Sequence, residues 1–186
     1  GNKQREGNFL NGRETGVWKS WYENGTPKAN EQYDDGRLQG PFTIYFKNGK
    51  PSLTGFYHKG MPDSLWTGFD ESGQLIASES FRKGKKWGEW KYYYSNGKPK
   101  SIGTFTNNLQ EGNYISYYVS GRTEEEGEFL NNKKKGIWKY YDENGNLMKI
   151  VSYNDTLEKV IDWYDKPGLA MIIGGNGTCS LQIGRA

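Results

Sequence analysis

Aromatic residues return along this chain at a fixed spacing of 24 residues, and the positions between them are mostly polar. With the first complete unit set to begin at Gly16, further units begin at Gly40, Ser64, Gly88, Gly112 and Gly136 without insertion. The third position holds Trp18, Phe42, Trp66, Trp90, Tyr114 and Trp138, and the eighteenth Tyr33, Tyr57, Phe81, Phe105, Phe129 and Tyr153. A third column, the sixth position, holds Trp21, Tyr45, Phe69, Tyr93, Tyr117 and Tyr141. A half unit precedes them, with Gly7, Phe9 and Gly12 in phase.

Two turn signals divide each unit. The first is Asn24-Gly25, Asn48-Gly49, Ser72-Gly73, Asn96-Gly97, Ser120-Gly121 and Asn144-Gly145. Asn-Gly predicts a two-residue type I′ hairpin turn, because that turn needs positive φ at both central residues. The second is Gly12, Gly36, Gly60 and Gly84, then Asn108 and Asn132, residue types that tolerate the left-handed conformation. The unit reads strand, turn, strand, turn. The predicted fold is all-β: an elongated, single-sheet antiparallel meander of tandem hairpins, a solenoid in which each repeat leans on its neighbours.

Two-residue turns place Trp90 opposite Gly103, Gly88 opposite Phe105, Tyr114 opposite Gly127 and Trp18 opposite Glu31. A ring facing a bare glycine can lie over the backbone there and shield its hydrogen bonds. The third unit departs most, with Ser64, Gly68 and Asp70, and a local bend or softer segment is expected there. Repeats fill residues 1–156, and 157–186 form a degenerate seventh unit (Ile161, Trp163, Tyr164, Gly168) with a capping hairpin. In that hairpin Leu169–Ile173 and Cys179–Ile183 flank Gly174-Gly175-Asn176-Gly177, and their aliphatic residues suit a cap over the last open strand. The only helical candidate is 156–164, and it is short.

Composition sharpens this picture. Of 186 residues 33% are hydrophobic, yet 16% are aromatic and 26 are Gly, so flat rings against backbone replace an aliphatic core. A formal charge of +3 is too mild to imply a nucleic-acid or membrane-surface partner. One cysteine excludes an intramolecular disulfide and a Cys-cluster metal site. No apolar run is long enough for a transmembrane helix. The chain starts at Gly1 midway through a unit, as a mature form after signal removal would and as a cloning remnant would. The envelope or the exterior is the compartment slightly favoured.

The segments Gly88–Lys98 and Gly136–Asn146 open Gly-x-Trp, run through paired tyrosines to Asn-Gly, and lead into x-Phe-x-x-Gly. This unit resembles the MORN repeat variant, and bacterial arrays of it look like the YwqK-type proteins labelled antitoxins. The likeness covers roughly residues 5 to 165. It implies a β-hairpin solenoid with a binding role and brings no catalytic residues.

Candidate chemistry is thin. The single histidine, His58, excludes Ser-His-Asp, Cys-His and His-rich metal arrangements, and its column (Asp34, Arg82, Thr106, Leu130, Asn154) reads as solvent-facing. Cys179 has no basic neighbour in the sequence closer than Arg185, whereas a reactive thiol needs an electropositive setting, so it reads as a packed or surface cysteine. Strand alternation puts Glu124 and Glu126 on one face and Glu125 on the other, with Lys133-Lys134-Lys135 as countercharge. Arg82-Lys83-Gly84-Lys85-Lys86 is a second basic turn, two repeats away, and the pair could form a modest anion-attracting edge. The Gly174–Gly177 run opens no helix and has no Lys-Ser/Thr ending, so it is a turn rather than a phosphate loop.

Catalytic, cofactor and metal sites are therefore not expected. The remaining candidate is the sixth-position column, Trp21, Tyr45, Phe69, Tyr93, Tyr117 and Tyr141, which alternation turns away from the third-position rings. Rings at every second strand would be about 10 Å apart. Two readings stand. The column is a ladder for an extended partner, or, as is favoured for a column filled in every copy, part of what makes the repeat. The expected function is a non-catalytic protein-interaction scaffold, with a toxin or an envelope protein as partner. The alternatives are a glycan- or lipid-binding envelope module and a homodimer through open edge strands.

Overall fold

This computed structural model of the protein describes the backbone of residues 3–154, 157–166, 169–173 and 179–181, and side chains through residue 153. It falls into two compact units, 1–97 with 106–108, and 98–105 with 109–186. Every strand pairing among the described residues is antiparallel and joins chain neighbours, as short alternating segments between turns dictate.

The first unit is a meander of β1 (Arg5–Leu10), β2 (Arg13–Trp21), β3 (Pro27–Asp34), β4 (Arg37–Leu38), β5 (Gly40–Tyr45), β6 (Pro51–His58), β7 (Met61–Phe69), β8 (Leu75–Arg82) and β9 (Lys85–Tyr93). β4 and β5 act as one interrupted partner of β3. Then comes β10 (Pro99–Thr106), of which residues 99–105 lie in the second unit. There β11 (Leu109–Tyr117), β12 (Thr123–Leu130), β13 (Lys133–Tyr141), β14 (Leu147–Asn154), β15 (Leu157–Lys166), β16 (Leu169–Ile173) and β17 (Cys179–Leu181) pair in succession. The helical candidate at 156–164 is corrected: 157–164 belongs to β15, paired with β14. The side chains of the tail and the turn 174–178 lie outside the described residues.

The turns exchange the types expected of them. At Asn24-Gly25 the Tyr22 N–H donates to Thr26 O and the Gly25 N–H to Tyr22 O, both at 2.9 Å, which closes a three-residue loop. Only Gly25 is left-handed, at φ 84°. This is a type I turn followed by a left-handed glycine, not type I′. The type I′ turns sit at the other punctuation, where both residues have positive φ: Asn11 (51°) with Gly12 (75°), Asp35 (47°) with Gly36 (73°), Asn131 (52°) with Asn132 (66°).

A three-residue loop should slip the strands by one, and a slip of one would turn every side chain over. The slip is undone at once by a bulge. Trp21 pairs with Pro27 and Ser20 with Ala29, which leaves Lys28 over. Ser52, Ile76, Glu124 and Met148 are left over in the same way. Beyond the bulge the expected register returns, with Trp18↔Glu31, Tyr114↔Gly127 and Gly16↔Tyr33. The third unit also keeps it, with Ser64↔Phe81 and Trp66↔Glu79. Its leading residue departs from the others: Ser64 adopts φ 62° where the other units have glycine.

The thin core is a row of indoles. Trp18, Trp66, Trp90 and Trp138 are buried, with Ala29 and Val151 among the few other buried apolar residues. Trp18, Trp66 and Trp138 each lie on a glycine of the preceding unit, not on the hairpin partner as the register alone suggested, whereas Trp90 faces Glu79. A Cβ added to Gly127 would stand 2.4 Å from Trp138, one on Gly55 2.2 Å from Trp66, and one on Gly7 2.0 Å from Trp18. The glycines of the sixteenth column thus keep a slot open for the next unit's ring. Edge-on rings of the eighteenth column close the row: Phe129 meets Trp138 at 5.0 Å and 85°, and Tyr57 meets Trp66 at 5.0 Å and 88°.

Candidate binding surfaces

The face that carries the indoles is built from positions three, five and seven of the first strand and fourteen, sixteen and eighteen of the second. Cations stand over its rings. Lys134 Nζ is 3.9 Å from the Trp138 ring centre, 2.6 Å from Glu125 Oε2 and 3.0 Å from Tyr140 Oη, and Tyr140 and Tyr153 share a 2.7 Å hydrogen bond. In the first unit Arg5 sits 4.3 Å over Trp18, paired with Glu14 at 2.9 Å and Glu31 at 3.1 Å, and Lys86 lies 4.2 Å over Trp90. Partly buried cation–π pairs of this kind contribute about 1 kcal/mol each. The Trp138 Nε1–H donates to Glu128 O at 3.0 Å and Trp90 Nε1–H to Ser80 O at 2.9 Å, whereas the buried Nε1 groups of Trp18 and Trp66 have no partner among the described residues.

Two grooves open on this face. One, about 860 Å³, lies in the first unit between Arg5, Ser20, Tyr22, Glu31, Phe42 and Ile44. The other, about 370 Å³, lies in the second unit and is lined by Tyr114, Ser116, Tyr118, Tyr140, Glu124 and Glu125. Its floor is wired together: the buried Ser116 Oγ–H donates to Glu124 Oε2 at 3.0 Å, and Tyr118 Oη–H to Tyr141 O at 2.7 Å. Burial, and the negative charge of Glu125, push the Tyr114 hydroxyl above the usual tyrosine range.

Glu124 therefore does not share a face with Glu126, as plain alternation predicted. It is the left-over residue of the bulge, so its side chain joins Ser116 and Glu125 on the indole face. Glu126 stays on the opposite face with Lys139, 3.5 Å away.

The sixth-position residues Trp21, Tyr45, Phe69, Tyr93, Tyr117 and Tyr141 are all half-buried. The bulge beside them lies in the facing strand, so alternation holds along their own. Tyr141 Oη–H donates to Glu126 Oε1 at 2.8 Å, and the Asn30 amide donates to Tyr45 Oη at 2.9 Å. Burial and the Glu126 bond push the Tyr141 hydroxyl up to about 12. Trp21 and Tyr141 also border the two grooves.

His58 is exposed at a turn, with Nδ1 3.5 Å from the Gln39 amide. Cys179 lies outside the side chains described. Among the described residues no three His, Cys, Asp or Glu side chains come together to hold a metal ion.

Sequence reasoning passed over the fifth and seventh columns. Tyr22, Tyr118 and Tyr140 line the grooves, and counting on by twos from the third position would have put them there. Only three of six copies have tyrosine at the seventh position, so the column gave no repeat signal.

Segments 14–35, 88–107 and 134–155 match the family model of the MORN repeat variant. MORN repeats are repeat modules that bind proteins or membrane lipids, and the family is non-enzymatic. Among curated proteins, none matches the chain.

Proposed function

We propose that this protein is a non-catalytic scaffold that binds another protein on the indole face of its sheet, in an antitoxin- or immunity-like role. One observation carries the reading. Most rings of the repeated columns are taken up in packing, while Tyr22 in one groove and Tyr118 and Tyr140 in the other, from columns not aromatic in every copy, line open space beside carboxylates and cations. Concave surface of this kind, aromatic with a polar border, is what protein interfaces use for anchoring side chains.

The test is affinity capture from the native host with crosslinking and mass spectrometry. A single recovered partner, crosslinked near the grooves and inactivated on binding, supports the reading. Recovery of no protein, or of partners unaffected by Tyr22→Ala and Tyr118→Ala, counts against it. A second reading, a glycan- or lipid-binding module of the cell envelope, draws on the hydroxyl-rich wall of the smaller groove (Ser116, Tyr114, Tyr118, Tyr140). A glycan array and liposome flotation that are both negative remove it.

A further inference from the structure

Columns filled in every copy serve the fold, so a large residue that breaks the repeat needs another reason to be there. The twenty-fourth position holds Thr15, Gln39, Asp63, Glu111 and Lys135 in five places and Trp87 in the sixth. Trp87 is 36% exposed. Its neighbour Lys86 covers the Trp90 ring, so alternation turns Trp87 to the opposite face, away from both grooves. There the Arg82 guanidinium stands 5.1 Å over its ring.

The register extends the patch across four strands. Leu65, 54% exposed, pairs with Ser80, and Ser80 alternates with Arg82 on β8. Phe56, 36% exposed, pairs with Asp63 on β7. Three large apolar side chains thus lie open on one face of the first unit, where a scattered one would need no explanation. The turns beside them are stacked, with the Gly84 N–H donating to Pro62 O at 2.8 Å, and they carry the exposed Lys59, Lys83 and Lys85. The acid within the patch is tied to the turn, since Asp63 Oδ2 accepts the Lys83 N–H at 2.9 Å.

We propose that Trp87, Leu65 and Phe56 with Arg82, Lys83 and Lys85 form a docking site for an acidic segment of a partner protein that carries apolar side chains among its carboxylates. The apolar trio takes the apolar side chains, and the cations at the turn edge take the carboxylates. Tryptophan and arginine are the residues that most often dominate binding energy at protein interfaces. An anionic bilayer fits less well. Asp34 and Asp35 lie at a neighbouring turn of the same edge, and Glu89 follows Trp87 on β9, so a flat negative surface would be driven against them. The inference rests on the protein-scaffold reading and gives it a second surface and a partner chemistry.

The experiment is selection of a phage-displayed random peptide library on the intact protein, followed by fluorescence anisotropy with the enriched peptides. Enriched sequences should combine Asp or Glu with Leu, Ile, Phe or Trp. Trp87→Ala and Arg82→Glu should each weaken binding about tenfold or more, with circular dichroism unchanged, while Tyr22→Ala leaves it intact. Peptides that bind but keep their Kd within about twofold in both variants overturn this site and leave the scaffold reading standing. If no peptide is enriched, and flotation on phosphatidylcholine–phosphatidylglycerol vesicles or self-association in sedimentation is lost in Trp87→Ala, the occupant is a bilayer or a second copy. That result overturns this site, while the scaffold reading stands or falls on the capture experiment. Failure of all three assays overturns the site alone.

Discussion

Gly127→Ala is the sharpest probe of the ring-on-glycine packing. The new Cβ would lie 2.4 Å from Cδ2 and Cε2 of Trp138 and 2.6 Å from Cγ, about 1 Å inside ordinary contact. The ring has nowhere to go. It is fully buried, its Nε1–H is held by Glu128 O at 3.0 Å, Lys134 Nζ lies 3.9 Å from its centre, and Phe129 meets it edge-on at 5.0 Å. Forcing a methyl into a packed site costs about 1–3 kcal/mol. Losing the indole hydrogen bond and loosening the cation–π contact add about 1 kcal/mol each. The stiffer unfolded chain of the alanine variant returns about 0.5 kcal/mol. The expected destabilisation is about 3 kcal/mol. Gly136→Ala is the control, because no atom lies within 4 Å of its Cβ and only its φ of 66° opposes a side chain, at about 1 kcal/mol. The assay is urea unfolding followed by far-ultraviolet circular dichroism, with m-values compared because repeats can unfold stepwise. In a Trp138→Ala background the cost of Gly127→Ala should vanish. If Gly127→Ala falls within about 1 kcal/mol of the parent, or costs as much without Trp138, the reasoning is wrong.

Three further outcomes follow from the geometry. Ser64→Gly should stabilise the protein by about 0.5–1 kcal/mol in the same assay, since Ser64 alone holds φ 62° in a column of glycines. Lys134→Met, which keeps the stem but removes the charge over Trp138 and leaves Glu125 without its ion pair, should destabilise by about 1–2 kcal/mol in urea unfolding, less in high salt. The Tyr141 hydroxyl, raised to about 12 by burial and its bond to Glu126, favours the folded state fully below pH 10 and loses that contribution as pH climbs from 10 to about 12. Glu126→Gln should lower the Tyr141 pKa and narrow that window, as read by the ring carbon chemical shifts in a pH titration; an unmoved value would show that Glu126 does not set it.

The meander was legible before any coordinates. Period, strand polarity and the pairing of the third column with the sixteenth and of the first with the eighteenth follow from aromatic spacing and from where Gly and Asn recur, because a two-residue side-chain period leaves few registers that bury one face. Even the wrong turn type did no harm. The loop at Asn24-Gly25 is one residue longer than a type I′ turn, and Lys28 is left over to compensate, so both errors cancel upstream of the bulge. They do not cancel at the bulge itself, which is why Glu124 faces Ser116 instead of Glu126's neighbours. The sixth-position column could be placed on its face from alternation, but nothing in the spacing showed that Tyr141 hydrogen-bonds Glu126 or that Trp21 borders a groove.

Sequence by itself thus determined the local vocabulary: which residues pair and where the chain reverses. Tertiary structure decided what each ring rests on. Trp138 faces Gly127 from the next strand, a contact 11 residues away in sequence that depends on β13 bulging at Gly136, and no count of intervals within a single hairpin contains it. The same is true of Trp87. Its position in the chain marks it only as an exception, and the stacking of β6 to β9 is what gathers Arg82, Leu65 and Phe56 around it, because neighbours on a sheet face come from strands that the turns, not the sequence interval, bring side by side.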